Sequence, residues 1–231
     1  MTRTSPCADH FLVLIWYIFL NYHISQKGRN KQMSKIFLNG EQWKYLTFLN
    51  LFLQAIFYGV TYMEDVLKRI KGKKDIKLIT TFRDLLFTAL AFPVSTFVFV
   101  SFWILFLYDG ELIYPAALDD IFPVWLNHAM HTFTLPSSLV EVIFRPHCYP
   151  LKKKGLTVLA AASLPYISRV LWIYSETGTW VYPVSAKLSP VGLAAFSLNY
   201  IFTACIYLLG EKLKQWKWGD KRQPKKNIIQ K

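Results

Sequence analysis

The stretch Leu85-Leu-Phe-Thr-Ala-Leu-Ala-Phe-Pro93-Val-Ser-Thr-Phe-Val-Phe-Val-Ser-Phe-Trp-Ile-Leu-Phe-Leu-Tyr108 runs for 24 residues without a charge. A hydrocarbon core about 30 Å thick is crossed by about 20 mostly apolar residues in a helix. A helix apolar on every side is a buried helix or a membrane helix. This stretch predicts a membrane span over 85–108, and Pro93 within it predicts a kink whose freed carbonyl a neighbouring helix must satisfy.

Working outward, comparable runs predict five further spans, at about 10–25, 44–63, 121–144, 156–175 and 190–210. The first, Phe11–Leu20 behind Arg3, lacks the small-residue cleavage pattern of a secretory signal, since Asn21-Tyr-His-Ile follows it, and reads as an uncleaved helix. Asp120 stands as a predicted N-cap for the fourth span, with Pro123 in its first turn. The spans leave no room for a separate soluble domain. The expected fold is all-α: one polytopic domain over 1–231, an integral membrane bundle of six transmembrane helices with a basic tail at 211–231.

The formal charge of +13 would suggest nucleic acid in a soluble protein, but here Lys and Arg gather in the connections and the tail. With both termini cytoplasmic, twenty basic residues fall on the inner side and six on the outer, Arg169 lying within the fifth span. The balance orients the chain and excludes nucleic-acid binding, and membrane lipids are the expected surroundings. Trp43, Tyr45, Tyr108, Tyr114, Trp125, Trp180 and Tyr182 fall near the outer boundary, and Trp216 and Trp218 near the inner one. Three scattered cysteines, Cys7, Cys148 and Cys205, make neither a disulfide framework nor a metal cluster. Cys148, beside a span and a Lys run, reads as a free thiol before it reads as a palmitoylation site.

Polar residues inside the bilayer are costly and should turn inward. Thr47, Asn50, Gln54, Tyr58 and Thr61 form one helical stripe on the second span, and Asn127, His131, Thr134, Ser138 and Glu141 form another on the fourth. Hydrogen-bonded glue between helices is the first reading for most of them. Glu141 and Arg169 suggest an interior ion pair, or two side chains reaching for the interface. His131 is different: an imidazole out of water is favoured neutral, and a neutral imidazole can act as a general base. His128 and His131 offer only two metal ligands, so no metal and no cofactor is expected. Nucleophile-elbow, His-Glu-x-x-His, phosphate-loop and dinucleotide motifs are all missing from the sequence.

The segments Trp43-Lys-Tyr-Leu-Thr47-Phe, Gln54-Ala-Ile-Phe57-Tyr58-Gly59, Phe82-Arg83-Asp84, Leu90-Ala-Phe-Pro93-Val, Trp125-Leu-Asn127-His128-Ala-Met-His131-Thr132 and Gly178-Thr-Trp180-Val-Tyr182-Pro183 resemble the androgen-induced gene family of multipass membrane proteins. The likeness runs along the whole chain to Tyr207-Leu-Leu-Gly210-Glu211. It implies an intramembrane threonine hydrolase that cleaves fatty acid esters of hydroxy fatty acids, a lipid substrate with two acyl chains. By position in the matching motifs it implies Thr47 as nucleophile and His131 as base. Such chemistry calls for a nearby oxyanion donor, and Asn50, Asn127 and His128 are the candidate oxyanion or substrate-binding residues. It also implies a link to the regulation of tissue factor pathway inhibitor and anticoagulant activity, for which a non-enzymatic membrane regulator is the alternative. The expected location is the cell membrane, or the endoplasmic reticulum. A small transporter is the weakest reading, because the chain carries no repeat.

Overall fold

The computed structural model describes residues 6–29, 42–71, 76–114, 122–187 and 192–219, which are helical with no strand among them. Helix α1 covers Pro6–Arg29 and α2 covers Leu46–Lys71; the two pack along their length. A continuous helical rod follows: α3, Lys77–Leu86, a π-helical stretch, Phe87–Ala91, and α4, Phe92–Tyr108. Next come α5, Val124–His131, α6, Thr134–Phe144, α7, Lys152–Thr177, the short α8, Pro183–Lys187, and α9, Gly192–Trp218. Among the described residues four helical segments are long and apolar enough to cross a membrane: Cys7–Gln26, Leu46–Ile70, Lys77–Tyr108 and Lys152–Thr177.

Two prolines explain where the rods depart from regular helix. Pro93 has no N–H to donate, and the turn before it widens so that Phe92 N–H reaches Phe87 O, five residues back. The expected kink is thus taken up as a π turn. The predicted fourth span, in contrast, is two helices rather than one. Pro136 sits in the first turn of α6, where a missing N–H is harmless, and it cannot continue the ladder from Thr132. His131 thereby becomes the last residue of α5. Pro123 occupies the N-cap of α5 instead of its first turn, and Asp120 lies outside the described residues. The start of the basic tail is helical: α9 runs on to Trp218, whose indole N–H donates to Val142 O at 3.0 Å, while Trp216 is exposed. The rest of the tail lies outside the described residues.

Both expected polar stripes face inward. Asn50, Gln54, Tyr58, Thr61, His131, Thr134, Ser138 and Glu141 are all buried. Several are glue: Ser138 Oγ meets Ser95 Oγ at 2.8 Å, and Tyr58 OH donates to Ser137 O at 3.1 Å. Close packing of α9 depends on two glycines. A Cβ on Gly155 would strike the Tyr207 ring, and one on Gly210 would strike Tyr149 and Phe92.

One end of the bundle, where the described chain begins and ends, holds a buried ionic cluster. His10 places Nδ1 at 2.7 Å from Asp65 and Nε2 at 3.2 Å from Glu141. His147 bridges Asp84 and Glu141, each at 3.0 Å. Arg83 pairs with Asp84 and Glu64 at 2.5 Å, Lys68 with Glu64 at 2.8 Å, and Thr80 donates to Glu64. The suggested Glu141–Arg169 pair is absent: Glu141 is taken by two histidines nearer to it, and Arg169 is exposed on α7. Cys148 is half-buried beside this cluster, its N–H donating to Asp84 at 3.0 Å, and burial pushes its thiol up from the ordinary value. A thiol so shifted is a weak nucleophile.

Candidate active site

At the opposite end, α2 starts after a single 3-10 turn at 42–44. Its first turn is pinned from outside. Leu46 N–H donates to Tyr182 OH at 2.9 Å, and Tyr166 OH lies 3.1 Å from Tyr182 OH and donates to Lys44 O at 3.3 Å. Burial pushes the Tyr182 phenol up from its usual value, which keeps it protonated and hydrogen-bonding. Tyr114 and Tyr182, expected at the membrane boundary, turn inward and line the cavity described below. Thr47 lies in this pinned turn, half-buried.

The end of α5 brings His131 to meet it. Thr47 Oγ1 stands 3.2 Å from His131 Nε2, although 84 residues separate them in the chain. The ring is 7% exposed and lies flat on Phe102, with centroids 3.7 Å apart and planes within 9°. On its other edge, His131 Nδ1 is 2.7 Å from Asn127 Oδ1 and 3.2 Å from Asn127 O. Both are acceptors, so the proton sits on Nδ1 and the Nε2 lone pair faces the threonine hydroxyl. That is the tautomer a general base needs.

The remaining expected site residues separate. Asn127 turns its side-chain carbonyl oxygen to His131 Nδ1, a third member of the arrangement that the sequence reading did not identify. The four-residue spacing from Asn127 to His131 on one helix was the available signal. His128 turns outward, bonded to Thr132 at 2.9 Å and stacked on Trp103, so it stands apart from the pair. Asn50 is fully buried; its Oδ1 accepts from Gln54 Nε2 at 3.3 Å, and its Nδ2 has no partner.

A cavity of about 400 Å³ opens in front of Thr47 and His131, walled mainly by apolar side chains such as Phe97, Val98, Phe102 and Met130. Ile104 and Asn199, both exposed on the flank of the bundle, also line it, so it is reached from the side. A second cavity, of about 220 Å³, adjoins it between α2, α4, α7 and α9. Among the described residues no group of three or more His, Cys, Asp or Glu could hold a metal ion.

Comparison with known proteins gives the chain its family. The sequence profile of the FAR-17a/AIG1-like protein family matches residues 5–215. The chain is 70% identical over 227 residues to the human androgen-dependent TFPI-regulating protein, covering 98% of this chain and 99% of that one. It is 60% identical over 230 residues to the mouse protein of the same name, covering 98% and 100%. The human androgen-induced gene 1 protein is 39% identical over 191 residues, covering 79% and 80%. No solved structure matches the chain.

Proposed function

The chain belongs to the FAR-17a/AIG1-like family, and we propose that it is an intramembrane hydrolase of fatty acid esters of hydroxy fatty acids, with Thr47 as nucleophile and His131 as base. The observation that carries this reading is the 3.2 Å contact from Thr47 Oγ1 to a His131 Nε2 whose tautomer Asn127 fixes, at the head of an apolar cavity. A threonine hydroxyl needs an adjacent base to attack an ester, and the base needs a third group to orient it. Thr47, His131 and Asn127 supply those three parts.

In the first half-reaction Thr47 Oγ1 bonds to the ester carbon while its proton passes to Nε2. The imidazolium so formed lies on the Phe102 ring and donates to two Asn127 oxygens, which favours it in an apolar site. The carbon–oxygen bond to the alcohol then breaks, and Nε2 returns the proton to the departing oxygen. Water, with His131 again as base, releases the fatty acid from Thr47. Entry past Ile104 and Asn199 suits a substrate dissolved in lipid. In this reading the chain crosses the cell membrane six times, α5 with α6 and α9 completing the set, and both termini are cytoplasmic. The joining of both described chain ends at one end of the bundle supports that topology.

The test is hydrolysis of a branched fatty acid ester by purified variants in detergent or nanodiscs. Thr47→Ala should fall to background and His131→Ala should lose about 100- to 10,000-fold in kcat, the usual worth of a general base. Full activity in either variant removes the assigned roles. A second reading, drawn from the names of the relatives, is a regulator of TFPI that needs no catalysis. The same Thr47→Ala variant separates the two: retained regulation favours a non-enzymatic role, and lost regulation favours a lipid-mediated one.

A further inference from the structure

The two cavities divide the polar groups of the site between them. Thr47 and His131 line only the larger, Asn50 only the smaller, and the walls they share, Leu46, Phe97, Tyr166 and Asn199, make them neighbours beside the first turn of α2. The Asn50 amide is oriented from behind. Ala91 O can only accept, so it takes the nitrogen end of the Gln54 amide, Nε2, at 3.0 Å, and the same nitrogen then faces Asn50 Oδ1. Asn50 Nδ2 is left fully buried with its donors unpartnered. A bare buried donor in an apolar wall calls for an acceptor that arrives from outside the protein. Asn50 follows Thr47 by three residues, so the two side chains share a face of α2.

Resting on the ester-hydrolase reading, the geometry points to an assignment of the substrate's arms: the smaller cavity takes the acyl chain, the larger takes the hydroxy acid, and Asn50 Nδ2 donates to the carbonyl oxygen between them. In the tetrahedral intermediate the carbon bears Thr47 Oγ1, the oxyanion, the leaving oxygen and the acyl chain. The leaving oxygen must receive its proton from His131 Nε2, which faces the larger cavity alone. The oxyanion belongs at the unpartnered donor on the wall of the smaller one. The acyl chain is the substituent that remains, and it continues past Asn50 between Leu53, Val94 and Leu159. The alcohol of a branched ester carries two arms of its own and needs the larger volume.

Two substitutions on one helix test this. Val94 lines only the smaller cavity and Ser101 only the larger, seven residues apart on α4, or about 10 Å along its axis. Val94→Phe and Ser101→Phe would be assayed against p-nitrophenyl esters with acyl chains of about 4 to 16 carbons, and against butyrate esters of alcohols of increasing size. Ala162→Leu on α7 also lines only the smaller cavity and is a milder filling in case Val94→Phe fails to fold. Val94→Phe should lower the ratio of long- to short-acyl kcat/KM about tenfold or more, with no shift in alcohol selectivity, and Ser101→Phe should do the reverse. In parallel, Asn50→Leu should lower kcat about 100-fold or more with KM little changed, the pattern of a donor lost from the transition state. Swapped selectivities, or equal losses at every chain length, would overturn the assignment while Thr47-dependent turnover persists. Turnover that survives Thr47→Ala would instead overturn the hydrolase reading and this inference with it.

Discussion

The two ends of the bundle each bury histidine, in opposite company. His10 and His147 have a carboxylate oxygen at both ring nitrogens. His131 meets no carboxylate; its neighbours are a threonine hydroxyl, an asparagine and a phenyl ring. The contrast teaches that the partner decides the role. Carboxylates at both nitrogens spend an imidazole on tying helices together, whereas neutral acceptors leave one nitrogen lone pair ready to take a proton.

The comparison is broken most forcefully at Glu141, which joins both histidines of the ionic end. Glu141→Ala leaves two buried rings without their shared carboxylate, and the loss of one partner of a buried pair typically costs about 3–5 kcal/mol. The expected outcome is a large fall in thermal stability with kcat unchanged in the molecules that remain folded. A stable Glu141→Ala protein with lost turnover would mean the cluster serves the chemistry. Asn127→Ala sharpens the comparison from the other side. It removes one of two acceptors for Nδ1–H and leaves the backbone oxygen at 3.2 Å. The loss in kcat should be about tenfold, well below the ~10,000-fold seen when an ionised orienting group is lost from a serine protease triad. Thermal stability should change little, and an unchanged kcat would show that the backbone oxygen alone orients the ring.

How much of this was legible in the sequence depends on range. Long apolar runs marked the helices that carry Phe97, Thr47 and Val170, because burial in lipid demands the same composition at every turn. The two stripes on α2 and on α5 with α6 were legible for the same reason. The break at Thr132–Phe133 was written in Pro136, a proline better suited to start a helix than to continue one. The ionic cluster was not legible. It joins His10 to Glu141 across 131 positions and Asp84 to His147 across 63, and no periodicity relates residues so far apart. Periodicity likewise turned Thr47 and His131 inward without pairing them; the pairing entered through family resemblance, and the structure sets the two atoms 3.2 Å apart. Asn127 was read as a candidate oxyanion or substrate-binding residue; its contact with His131 was not read, since spacing alone does not tell which way an amide faces.

The most direct measurement is to label the purified protein with a serine- and threonine-reactive fluorophosphonate and locate the adduct by mass spectrometry. The account predicts a single adduct on Thr47 that His131→Ala abolishes. An adduct on another residue, or equal labelling of Thr47 without the histidine, would contradict it.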